Sequence, residues 1–176
     1  MANKLLEQEK NKFLCPKVVE KTKNLLIKAN ESCLKVDLHS AYRDSIEQGK
    51  LYALGRTIKN PDGITKEKPM GRIITNSIPG NSWHNYGFAV DIVFRDINGN
   101  WTWNVDKETW IKLGNIGKSL GFFWGGDWTK IDSKYTTKRI PIPDYPHFEI
   151  HGKFRRIADA KKVFDESGLM GVWEEI

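Results

Sequence analysis

Cysteine is nearly absent from this chain: Cys15 and Cys33 are the only two in 176 residues, and they lie in no metal-ligand spacing. A disulfide-built scaffold and a cysteine-based zinc site are thereby excluded. The pair reads as two buried, reduced thiols, with one disulfide clamping the first helix as the alternative. Long apolar runs are absent too. None approaches the ~18 residues that a membrane helix needs, and the segment from Met1 to Lys10 has no apolar core of signal-peptide length. The chain is therefore expected to be made in the cytoplasm without a standard signal and to have no integral membrane association. No Lys/Arg run exceeds two, and no helix-turn-helix, zinc-finger or RNA-binding signature is found, so no nucleic-acid partner is expected. The net charge of +6 instead suits an anionic surface. No internal repeat, low-complexity tract or linker divides the sequence. One domain over residues 1–176 is expected: a helical segment at 1–30, a motif-bearing core at 36–151, and a helix with a tail at 153–176.

What is present is enough for a core, with 39% hydrophobic and 28% charged residues, 7 Trp and 8 Phe. Leu5 to Phe13 reads as a short helix. Pro16 opens a second, in which Val18, Val19, Thr22, Leu25, Leu26 and Ala29 recur at helical spacing. Leu34, Val36 and Leu38 alternate with Lys35, Asp37 and His39 as a half-buried strand. Ser45 and Gln48 stand at capping-box spacing and begin a helix to about Leu54. Residues 56–81 read as a long functional loop. Phe88 to Phe94 is apolar enough for a central strand, and Asn98-Gly99 predicts a hairpin. Asp96, Asn98 and Asn100 suggest a calcium loop only weakly, because Trp101 stands where such a loop needs glycine. Asp106 caps a helix that Gly121 ends. Phe122 to Trp124 is strand-like, residues 129–143 form a second loop, Pro146 to Ile150 is a short strand, and Phe154 to Glu166 is a final helix. Without a repeated βαβ pattern the fold class is α+β: a small antiparallel sheet flanked by helices.

Two stretches carry chemistry. Ser82-Trp83-His84-Asn85-Tyr86-Gly87-Phe88-Ala89-Val90-Asp91 holds a His and an Asp at an odd separation, so the chain must turn between them, and Gly87 permits the turn. Asp144-Tyr145-Pro146-His147-Phe148-Glu149 adds a second imidazole and further carboxylates. His84, Asp91 and His147 form a three-ligand set of the kind a catalytic zinc takes, which leaves one position open. Asp144, off the regular strand, is placed to take a proton from an attacking water. Arg43, at the end of the first strand, is the candidate for meeting a developing oxyanion.

The same residues resemble a known family. Ser82-x-His84-x-x-Gly87-x-Ala89-x-Asp91, then Pro146-His147-Phe148-Glu149, is similar to the zinc D-alanyl-D-alanine carboxypeptidases and L-alanyl-D-glutamate endopeptidases, phage endolysins included. Ser40-Ala41-Tyr42-Arg43 matches the family's S-x-[FY]-R. Leu51 to Thr57 and Phe122-x-Trp124-Gly125-Gly126-Asp127-Trp128 resemble the endopeptidase branch in particular. The resemblance covers about residues 36–151. It implies one Zn2+ on His84, Asp91 and His147, Asp144 as general base, Arg43 polarising the scissile carbonyl, and Ser82 contacting the peptide. An Asp at the base position is commoner in the endopeptidase branch. The resemblance also implies the α+β fold shared with the hedgehog signalling domain and the D-Ala-D-Ala peptidases. Its implied substrate is the stem peptide of peptidoglycan, often cut between L-Ala and D-Glu.

Each residue also has a plainer reading. His-x-Glu-x-His at 147–151 is an alternative ligand set, although Gly152 marks His151 as a strand-end residue. Glu149 is expected to support a ligand His rather than bind metal. His39 reads as a surface or strand histidine. Trp124 and Trp128 suit a groove or a core equally. Tyr52 and Arg56, four apart on a helix, form either a second cleft wall or a structural pair. Asp127 is either a turn residue or a support for a ligand. The rivals to the endopeptidase are a D-Ala-D-Ala carboxypeptidase and a zinc-containing wall-binding module without activity. A monomer is expected. With no separate wall-binding domain following, affinity is expected from the cleft and the basic surface.

Overall fold

The computed structural model describes residues 12–56, 73–131 and 139–176. The helix expected at Leu5–Phe13 falls almost wholly outside them, as does most of the loop expected at 56–81. Helix α1 (Pro16–Glu31) opens with proline in its first turn and buries Val18, Thr22, Leu25, Leu26 and Ala29. Its end explains Cys33, which sits in the left-handed region (φ 61) just past the helix while Leu34 N–H closes back on Ala29 O at 2.8 Å. That geometry leaves Cys33 exposed and unbonded to the buried Cys15, so only one of the two thiols is a core residue.

Strand β1 (Val36–Ser40) follows, and its alternation is imperfect: Asp37 is buried along with Val36 and Leu38. The buried carboxylate is compensated by Arg95, which pairs with it, and by Trp101 Nε1–H, which donates to it at 3.2 Å. Helix α2 (Ser45–Ala53) is capped by Asp44 rather than by Ser45, with Glu47 N–H donating to Asp44 Oδ1 at 2.7 Å. A carboxylate one residue earlier outcompetes the hydroxyl, because it accepts more strongly from the first-turn N–H groups.

The central strand is β2 (Ala89–Arg95), flanked by β1 on one side and on the other by β3 (Trp101–Thr102) and β7 (His147–Glu149). Strand β4 (Phe123–Trp124) completes the antiparallel sheet beyond β7. The β2–β3 hairpin turns at Asn98-Gly99, where Asp96 Oδ1 accepts from the N–H groups of Asn98 (2.9 Å) and Asn100 (2.8 Å). That carboxylate therefore organises the turn itself. Helix α3 (Lys107–Ser119) is capped by Asp106, as Thr109 N–H donates to its carboxylate at 2.7 Å. The stretch expected as a plain loop at 129–143 contains a second, two-stranded sheet, β5 (Thr129–Ile131) with β6 (Arg139–Pro141). Helix α4 (Ile157–Trp173) is longer than its apolar periodicity predicts, because it bends at Gly168 (φ 66) and continues on a new axis.

One cluster of buried apolar side chains, from Leu14 to Val172, joins α1, β1, β2, α3, β4, β7 and α4. Among the described residues no helix is long and apolar enough to cross a membrane.

Candidate active site

The antiparallel register builds most of the site. Asp91 on β2 pairs directly with His147 on β7 and with Ser40 on β1. Directly paired residues project from the same face a few ångströms apart, so the two side chains meet without any loop to position them. His84 arrives from a short 3-10 turn (Trp83–Tyr86) that leads into β2. Gly87 closes that turn at φ 71, and a Cβ there would lie 2.2 Å from Phe13 O. Only glycine fits, and it redirects the chain between His84 and Asp91. The turn is tied to the exit of β1 by three bonds: His84 Nδ1–H to Ala41 O (2.6 Å), Arg43 N–H to His84 O (3.2 Å) and Asn85 Nδ2–H to Arg43 O (2.8 Å). From behind, Trp173 Nε1–H on α4 donates to Tyr86 O at 2.8 Å.

These bonds fix the tautomers. A carbonyl only accepts, so His84 carries its proton on Nδ1 and turns the Nε2 lone pair inward. His147 Nε2 faces Glu149 Oε2 at 2.8 Å and carries a proton there, which leaves Nδ1 facing inward. Three donor atoms converge: His84 Nε2 to His147 Nδ1 is 3.2 Å, His84 Nε2 to Asp91 Oδ1 is 3.3 Å, and His147 Nδ1 to Asp91 Oδ1 is 3.2 Å. Tetrahedral zinc with ordinary Zn–N and Zn–O bonds separates its ligand atoms by about 3.3–3.4 Å. The donor set thus fits a zinc ion in spacing, chemistry and orientation. Among the described residues it is also the only grouping of three or more His, Cys, Asp or Glu close enough to hold a metal.

Electrostatics agree with this arrangement. Burial pushes His84 below its ordinary pKa and keeps it neutral. Burial also opposes charge on His147, but the hydrogen bonds to Asp91 and Glu149 outweigh it and push the imidazole up to about 9. Burial disfavours charge on Asp91 as well, and the two imidazoles overcome it and hold the carboxyl well below the usual range.

Two further groups face the same cleft, a cavity of about 340 Å³. Asp144 is positioned from two sides: its N–H donates to Gly125 O at 2.9 Å, and its O accepts from His147 N–H at 3.2 Å. A Cβ at Gly125 would lie 2.4 Å from Asp144 O, so the close approach needs glycine. Loss of solvation in the cleft, and then the Asp91 charge, raise the Asp144 carboxyl above its ordinary pKa. Arg43 Nη2 lies 3.6 Å from Asp91 Oδ2, while its buried Nε–H has no partner among the described residues. Burial lowers the Arg43 pKa, and the Asp91 and Asp144 carboxylates favour its charge.

Ser82 and Trp128 also line the cleft, and the Trp128 ring lies 4.9 Å from that of His147. Trp124 is core, donating from Nε1 to Tyr145 O at 2.8 Å. Tyr52 and Arg56 are not among the cleft-lining residues. Arg56 stacks over the Tyr52 ring at 4.1 Å and donates to Asn76 Oδ1 at 2.9 Å, bracing the segment from which Ile74, Thr75 and Ser77 line the cleft. Asp127 lies in the turn after β4, where it is exposed and accepts from Lys118 Nζ at 2.9 Å. His151 is sandwiched between Trp83 (4.3 Å) and Phe123 (4.7 Å), with Nε2 3.7 Å from Glu149 Oε1, so it abuts the residue that orients His147. His39, read from sequence as a surface or strand histidine, is an exposed residue of β1, and it lines the cleft together with Trp103, which the sequence reading passed over. The available signal was two tryptophans flanking one threonine just after a hairpin turn, where core packing does not require them.

A family model described as D-alanyl-D-alanine carboxypeptidase matches residues 75–150, a stretch that contains His84, Asp91, Asp144 and His147 but not Arg43. The peptidoglycan L-alanyl-D-glutamate endopeptidase CwlK of Bacillus subtilis (strain 168) is 31% identical over 141 residues, 71% of this chain and 71% of the relative. Among solved structures, the Serratia marcescens L-Ala D-Glu endopeptidase ChiX aligns over 81% of this chain and 84% of that chain, with 18% identity and a TM-score of 0.45.

Proposed function

This chain belongs to the family of D-alanyl-D-alanine carboxypeptidases and L-alanyl-D-glutamate endopeptidases, and from that premise we propose that it cuts peptidoglycan stem peptides between L-alanine and D-glutamate. The observation that carries the reading is the convergence of three lone-pair donors, at 3.2 to 3.3 Å from one another, in a cleft shared with Asp144 and Arg43. The choice of bond is supported by the identity to the Bacillus relative over most of both chains.

His84 Nε2, Asp91 Oδ1 and His147 Nδ1 would hold one Zn2+. When bound, the ion supplies Lewis acidity, which polarises the scissile carbonyl and makes a nearby water more acidic. Asp144 accepts the proton of that water on its carboxylate as the oxygen attacks the carbonyl carbon. Its raised pKa suits it to pass the proton on to the departing amine nitrogen of D-glutamate. Arg43 donates to the carbonyl oxygen as that oxygen gains charge, and its guanidinium already lies beside Asp91 in the same cleft. Glu149 keeps His147 in the tautomer that presents Nδ1. Ser82 and Trp128 hold the peptide along the cleft. The chain acts as a single catalytic unit and a monomer, on the cell wall.

Digestion of purified peptidoglycan, with new amino ends identified by mass spectrometry, tests this. New D-glutamate amino ends are expected. Release of D-alanine would establish a carboxypeptidase instead, and an undigested wall would leave a binding module.

A further inference from the structure

Two tryptophans near the cleft mouth are exposed, Trp101 at 48% and Trp103 at 45%, and neither has a part in the metal or proton chemistry above. Two large indoles exposed on either side of one histidine form a joined patch, and such patches mark binding sites where single exposed residues do not. Both are held rigidly. Trp101 Nε1–H is bonded to Asp37, and Trp103 stacks at 10° on the buried Trp110, which stacks at 18° on Tyr145. His39 stands edge-on between them, 5.3 Å from Trp101 and 4.8 Å from Trp103. His39 and Trp103 line the same cavity, about 340 Å³, as the three metal-ligand candidates.

We propose that Trp103, with His39 at its edge, is a sugar-binding platform that takes the N-acetylmuramic acid ring of the substrate, so that the enzyme prefers stems still attached to glycan. The proposal rests on the L-alanyl-D-glutamate reading. In peptidoglycan the L-alanine nitrogen is acylated by the lactyl group of that sugar. The ring therefore follows within about two residue lengths, at ~3.5 Å each, of the carbonyl being cut, and a wall of the same cavity must meet it. The C–H face of a pyranose is weakly positive and matches the negative face of an indole, while ring hydroxyl and acetamide groups at its edge suit an imidazole that both donates and accepts. The ammonium of a diamino acid at the third stem position is the competing occupant. An exposed indole face attracts an ammonium only weakly by itself, and the nearby Asp37, which would strengthen that attraction, is already engaged by Arg95 and Trp101.

The test compares kcat/KM on a disaccharide-linked stem peptide and on the identical free peptide. Wild type is expected to favour the glycan-linked substrate by about tenfold, and Trp103→Ala to bring the ratio close to one. Trp103→Leu, which keeps an apolar contact on Trp110 but lacks the flat face, is expected to do the same and serves if the alanine variant fails to fold. A wild-type ratio near one, or equal losses on both substrates, would overturn the platform. So would a Trp103→Ala loss that disappears when the third residue is alanine, which would assign the ring to the ammonium. A separate measurement isolates the platform from the choice of bond: the Trp103 indole N–H signal, identified by its absence in Trp103→Leu, followed by NMR during titration with the peptide-free disaccharide. A shift supports the platform even if digestion releases D-alanine, and no shift overturns it even if D-glutamate ends appear.

Discussion

At the scale of single residues, the centre is a place where lone pairs collide unless a cation separates them. Removing a ligand should therefore remove the metal: His84→Ala is expected to lower bound zinc from about one equivalent to background, together with activity, as read by elemental analysis. Asp144→Asn should retain zinc and lose about 10²–10⁴ in kcat. Because cleft desolvation and then Asp91 raise the Asp144 carboxyl, the acidic limb of the wild-type pH–rate profile should lie above the ordinary value of about 3.9. A limb at the ordinary value, or unchanged in the asparagine variant, would move the base elsewhere. His147 gives a second pH dependence, in the metal-free protein. Its folded pKa, about 9, is above its unfolded value. The stabilisation it contributes is full below the unfolded pKa of roughly 6.5 and is lost as pH rises through the folded one. Zinc competes with that proton, so zinc affinity should climb across the same window. Thermal melts with and without chelator at pH 6, 7.5 and 9 read both trends, and a metal-free protein more stable at pH 9 than at pH 6 would contradict them.

At the scale of elements, the site joins two strands whose register aligns Asp91 with His147 to one 3-10 turn that swings His84 in. The strands need only their ladder, but the turn depends on Gly87. Gly87→Ala places a Cβ against the Phe13 carbonyl in a left-handed backbone. We expect a loss of about 2–4 kcal/mol in a denaturant titration, with weakened zinc binding because the turn carries a ligand. A variant of wild-type stability would mean that the segment around Phe13 yields without cost. The β2–β3 hairpin belongs to the same scale: Asp96 organises its turn, and the buried Asp37, paired with the half-buried Arg95, holds the Trp101 indole.

At the scale of the whole molecule, the segment just before α1 and the last helix support the site from behind. Leu14 and Cys15 pack under Gly87, and Cys15 N–H donates to Gly87 O at 3.0 Å. Helix α4 reaches Tyr86 through Trp173. Trp173→Ala should therefore act at a distance. A loss of about 3 kcal/mol is expected from the missing ring and hydrogen bond, or roughly 6–12 °C in Tm. Zinc affinity should fall with no ligand touched. An unchanged Tm would show that α4 is not part of the support.

The sequence by itself determined which residues are candidate metal ligands and the elements that carry them. His84, Asp91 and His147 are marked by their spacing around a glycine and a proline, and helices and strands followed from periodicities of 3.6 and 2. Those features are local, and local chemistry writes them into the chain. What tertiary structure alone decided is which long side chains face the cleft. Tyr52 and Arg56 turn to each other and to Asn76, Asp127 turns to Lys118, and His39 and Trp103 turn into the cavity. A flexible polar side chain has several partners within reach, and an exposed ring has no periodicity to declare it. Their destinations are set by strand register and by hairpin twist, and both depend on residues far away in sequence.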